Sequence, residues 1–134
     1  MQIVLVAVCL HVLSGVFWAG STFVLARPAA AGAAAQLFRP QMGAAAMAVL
    51  TGAYLGHALR AGTPGTGTTL LIAGAVAAIV AAGIQGAIVG RARRKLRSEG
   101  ADQPLLRQRM TMAHRIAGAL LAFTVLTMAS ARFL

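Results

Sequence analysis

Three histidines, His11, His57 and His114, stand in stretches that are otherwise apolar, and no aspartate or glutamate joins them there. Imidazole binds iron, copper and zinc, and a polar ionisable group inside hydrocarbon points to function by default. The missing carboxylate argues against a proton-exchanging exporter. His11 is followed by Ser14, Gly15, Trp18 and Thr22 at spacings of 3, 4, 7 and 11, which is one helical face. A stripe bearing His11 and Trp18 should point into a bundle. Met110 and His114 share a face at i, i+4, with Met112 between them and Met42 expected at the same depth. Thioether and imidazole suit a cuprous ion. Each histidine also has a plain structural role open to it. His11 can hydrogen-bond a neighbouring helix, His57 can sit at the interface beside Tyr54, and His114 can do so beside Arg115. The single cysteine, Cys9, permits no intrachain disulfide and reads as a small buried hydrophobe.

These residues need helices to place them. Of 134 residues, 59% are hydrophobic and 10% charged, against about 25% charged in soluble domains. Most of the surface therefore does not meet water, and the length suits one domain, residues 1–134. A spanning helix takes about 20 apolar residues. The pattern predicts an all-α membrane protein, an antiparallel bundle of four transmembrane helices at about 3–26, 41–59, 69–90 and 111–131. The first is a retained helix rather than a signal peptide, because its first charge is Arg27. Residues 29–38 read as a surface extension and Pro40 as a first-turn residue of the second helix. Turn chemistry runs from Ala61 to Thr68. Asp102 reads as an N-cap, with Pro104 just inside the helix it starts. Gly52 with Gly56, and Gly86 with Gly90, read as small-residue packing signals.

The net charge is +10, from twelve Lys and Arg against two acids. It clusters between apolar stretches, above all from Arg91 to Arg109, with no base-reading set, so no nucleic-acid partner is expected. By the positive-inside rule that loop is cytoplasmic, with Arg27 and Arg39 on the same side and both termini outside. The partners expected are the lipid bilayer of the cell inner or plasma membrane, with a redox partner or a second copy of the chain.

Depth ranks the histidines as axial ligands. At the helical rise, His11 lies about 12 Å, His57 about 4 Å and His114 roughly 25 Å below the outer helix ends. His11 with His57 is then the easier axial pair for a haem b iron, and small residues leave a slot for the macrocycle. Without Cys-x-x-Cys-His, covalent haem attachment has no support.

The stretch His11-Val-Leu-Ser-Gly-Val-Phe-Trp18-Ala-Gly20 resembles the first helix of the copper-resistance D family and of the bacterial four-helix membrane protoporphyrinogen oxidase. The ending Met128-Ala-Ser-Ala-Arg132-Phe-Leu resembles the last helix of related small membrane families. The resemblance to the oxidase implies a haem-associated role for His11; that to copper-resistance D implies copper handling with His11 as a ligand. The oxidase family has a lysine in its third helix, whereas this chain has no Lys or Arg between Leu70 and Gly90. Three functions follow as expectations. The first is a haem b membrane protein serving electron transfer or a porphyrin-related redox step, which would make it a haem-dependent oxidoreductase. The second is a copper-transport or copper-resistance protein using Met110 and His114. The third is a non-catalytic subunit of a larger complex.

Overall fold

The structure, a computed structural model, describes residues 1–60 and 64–134, with Arg60 described by its backbone alone. The turn expected at residues 61–63 lies outside the described residues, as does the Arg60 side chain. Among the described residues all regular structure is helical: α1 (Gln2–Leu25), one 3₁₀ turn (Pro28–Ala30), α2 (Ala34–Arg60), α3 (Thr66–Lys95) and α4 (Gln103–Ser130). All four helices are long and apolar enough to cross a membrane. Even the shortest rises about 36 Å, against a hydrocarbon core of about 30 Å. Large apolar side chains such as Leu13, Val16, Leu50 and Leu126 are exposed, as a lipid-facing surface requires.

Two boundaries differ from the expectation. Helix α2 begins at Ala34, so Pro40 lies inside it and not in its first turn. The break expected at Pro40 falls instead at residues 31–33. Ala-rich sequence favours helix on the N-terminal side of the proline, and Ala34, Leu37 and Phe38 gain burial there against α3 and α4. Helix α3 continues from Ile84 through a π-helical segment, Gln85–Val89, into its basic end. Cys9 is exposed on the outer face of α1 rather than buried, because α1 meets its neighbours mainly through Ala7, Trp18, Thr22 and Leu25.

The helices pack most extensively as two antiparallel pairs, α1 with α2 and α3 with α4. Small residues allow this closeness. At Gly74 a Cβ would lie 2.6 Å from Thr127 Oγ1, and the Thr124 hydroxyl donates to the Gly74 carbonyl at 3.0 Å. Of the four glycines singled out in the sequence, Gly56 meets nothing within 4 Å and Gly86 has only Met42 Sδ at 3.8 Å, while the other two make room for side chains. Gly52 abuts the His11 ring, and Gly90 abuts Phe38.

The pairs join through two apolar clusters. One, at mid-depth, holds Trp18, Ala45, Ala48, Ala78, Ala81, Ala117 and Leu121. The other, at the basic end, holds Leu25, Ala34, Val89, Ala92, Leu106, Met110 and Ala113. Arginines lace this end. Arg93 Nε donates to the Ala35 carbonyl at 3.0 Å and stacks over Phe38 at 5.6 Å. Arg115 Nε donates to the Ala26 carbonyl at 3.2 Å, satisfying an acceptor that the end of α1 leaves open. Of the twelve Lys and Arg, all but Arg60 and Arg132 belong to this end.

Asp102 caps α4 as its position predicts: its carboxylate accepts from the Leu105 N–H at 3.1 Å, with Pro104 in the first turn. Replacing Asp102 with Ala should weaken that turn by about 1 kcal/mol. Faster hydrogen exchange at the Leu105 amide in D102A, with near-normal protection in D102N, is the expected outcome.

Candidate functional site

Two polar arrangements lie inside the bundle. The first is a buried network with a member on every helix. Trp18 Nε1 donates to Gln85 Oε1 at 2.7 Å. Gln85 Nε2 donates to Thr22 Oγ1 at 2.9 Å and to His114 Nδ1 at 3.2 Å. Gln41 Nε2 donates to Thr22 Oγ1 at 3.0 Å and to Ser21 Oγ at 3.2 Å. The Thr22 hydroxyl donates to the Trp18 carbonyl at 2.7 Å, so Thr22 gives one bond and accepts two. Thr22, Gln41, Gln85 and His114 are all fully buried. In hydrocarbon each group must find its partner inside the protein.

This network assigns the tautomer of His114. An indole N–H can only donate, so the Gln85 carbonyl oxygen faces Trp18 and its NH₂ faces His114. Nδ1 then accepts, and the neutral ring carries its proton on Nε2. That Nε2, together with Gln41 Oε1, is buried with no hydrogen-bond partner among the described residues. A protonated Nε2 has no lone pair for a metal. The thioethers of the copper set differ in surroundings: Met110 is buried in the basic-end cluster, Met112 is exposed, and Met42 packs against the mid-depth cluster. Among the described residues no cluster of three or more His, Cys, Asp or Glu forms.

His11 is set the opposite way. Its Nδ1 lies 2.8 Å from the Ala48 carbonyl and 3.3 Å from Thr51 Oγ1. A carbonyl only accepts, and the Thr51 hydroxyl already donates to Met47 O at 2.6 Å. The proton therefore sits on Nδ1, and Nε2 keeps its lone pair. A ring N–H tied to a backbone carbonyl is the usual second support of a metal-bound imidazole. Gly52 makes room for the ring: a Cβ there would lie 2.8 Å from His11 Cε1.

His11 lines a cavity of about 690 Å³ between the two helix pairs, in the half of the bundle that holds the chain termini. Its walls are apolar and come from all four helices, including Ala48, Leu71, Ala78 and Leu121. Among the described residues its few polar lining groups are His11, Thr68, Thr124 and Arg132, plus the indole of Trp18, whose N–H is held by Gln85. The volume is that of a cofactor or drug-sized site.

The structure thus brings His11 and Trp18 to one cavity and places His114 in the polar network behind it. It does not bring His57 there. His57 is exposed and lies outside the cavity wall, so the His11–His57 axial pair is not assembled. The reason is helical phase: His57 comes nine residues after Ala48, a rotation of about 180° from the face that carries His11. Gln41 and Gln85 were missed by the sequence reading. The available signal was an amide inside the third apolar stretch, Gln85, and one at the start of the second, Gln41, since an amide in a membrane helix bonds across to a neighbour.

Compared with known proteins, the chain matches no family model, no curated protein and no solved structure.

Trp18→Phe and Gln85→Leu should each destabilise the bundle, the double variant by less than their sum, with a coupling of about 1 kcal/mol. Unfolding in mixed micelles measures it. Because Trp18 is the sole tryptophan, Q85L should also shift its emission.

Proposed function

We propose that this chain is a small multi-pass protein of the cell inner or plasma membrane that binds haem b between its helix pairs, with His11 Nε2 as an axial ligand. The supporting observation is the His11 tautomer: Nδ1–H is tied to the Ala48 carbonyl, and Nε2 has no hydrogen-bond partner among the described residues, in a ring that lines an apolar cofactor-sized cavity. Haem held there would supply one-electron chemistry. The chain's part is to orient the imidazole through Ala48 and Thr51, to clear space for it at Gly52, and to keep water from the slot with alanine and leucine walls.

Electron transfer fits this wall better than porphyrin oxidation. Its only charged described residue is Arg132, and His11 is committed to the metal, so no base is left to take a proton from a substrate. A membrane redox partner follows as the natural counterpart. Charge bias supports the orientation with the Arg91–Arg109 loop in the cytoplasm and both termini outside. A reporter that is active only after export, fused after Leu134, should be active.

Purified in detergent and supplied with haem, the protein should show a Soret band lost in H11A and retained in H57A. With no second imidazole on the wall, the ferrous form should bind carbon monoxide and shift that band. G52V should reduce haem occupancy by crowding the His11 ring. A Soret band unaffected by H11A would overturn the assignment.

A further inference from the structure

We propose that Arg132 recognises a carboxylate on the ligand of this cavity, so that the site selects an apolar macrocycle with acidic groups along one edge. This rests on the haem reading above and adds a determinant of specificity to it.

The cavity is uneven along its length. At the level of His11 and Ala48 its walls are apolar, closed below by Trp18, Ala78 and Leu121. Towards the termini it is lined by Leu59, Ala131 and Arg132. From Leu121, on the cavity floor, to Arg132 the helical rise is about 16 Å, so the charge stands at the open rim, beyond the level of the imidazole. Arg132 is exposed but not on a loose tail. Its N–H donates to the Ala129 carbonyl at 3.3 Å, and Ala131 beside it is buried.

The chain supplies this guanidinium with no side-chain acid. Its only two, Glu99 and Asp102, sit at the opposite, basic end of the bundle. A cation that lines a ligand cavity without a side-chain counter-ion fits an anion carried by the ligand. Guanidinium pairs with carboxylate in a two-pronged, charge-assisted geometry that an ammonium does not reproduce. Haem b has this form, with a hydrocarbon perimeter interrupted on one side by two propionates. With the iron, at the ring centre, held by His11, the propionate edge would turn to the rim, where water and Arg132 would both meet it.

Titration of the full chain in non-ionic detergent tests this. Ferric haem and its dimethyl ester, which has the same ring and iron but no acid, are each followed by the His11-dependent Soret band. The expected result is a preference of wild type for the free acid of roughly tenfold or more. Arg132→Gln should lose that preference, Arg132→Lys should keep part of it, and Trp18 emission should be unchanged in both. Equal preference in wild type and R132Q, with the Soret band intact, would overturn the role of Arg132 and leave the haem reading standing. Absence of any His11-dependent band with either compound would overturn both.

Discussion

A polar group placed in hydrocarbon has no water to fall back on, and in this bundle one amide answers most of that constraint, with His114 Nε2 and Gln41 Oε1 left without a partner among the described residues. Gln85 accepts from α1 through Trp18 and donates both its hydrogens, to α1 at Thr22 and to α4 at His114. Gln41 brings α2 to the same hydroxyl. A side-chain amide has one acceptor end and one donor end, so this pattern holds only when the four helices keep one relative rotation and depth. Apolar contacts among alanines allow many sliding arrangements of nearly equal energy; the amide permits far fewer. The π-helical segment begins at Gln85 itself, where an extra residue in the turn resets the phase of the remaining helix.

The same logic separates the two inward histidines. Their chemistry is identical in isolation. Beside a donor, His114 becomes an Nε2–H imidazole with nothing to offer a metal. Beside a carbonyl, His11 becomes an Nδ1–H imidazole with a lone pair on Nε2. Neither needs a charge, which suits a low-dielectric interior. One ring is absorbed into the framework and the other is presented to a cavity.

That division follows the long axis. The basic end is closed by the Leu25–Met110 cluster and by arginines that reach back to backbone carbonyls. The terminal end stays open, because small residues such as Gly15, Gly56 and Ala75 line it where bulkier ones would fill it. A tightly tied base beneath an open upper half is a workable design for a site. The network below sets the helix positions, and the cavity above need not be filled by side chains.

Much of this architecture was legible along the chain. Hydropathy determines how many helices form and where they run, because each must cover about the same thickness of hydrocarbon. Asp102 with Pro104 marks the start of α4, and the charge distribution marks one basic end. The His11-to-Thr22 stripe marks the inward face of α1. These are local or one-dimensional properties. The sequence was silent where a helix is apolar nearly all round, as α3 is over Thr66–Ile84, or where its polar residues give no single stripe, as in α2, since such a helix does not declare which side meets protein. It therefore could not show that His57 turns away, that Gln41 and Gln85 converge, or that Pro40 is carried inside α2. Nor could it assign a proton to either ring nitrogen of His11 or His114. Those outcomes were decided only by the tertiary structure, because each depends on which donor or acceptor another helix places within about 3 Å.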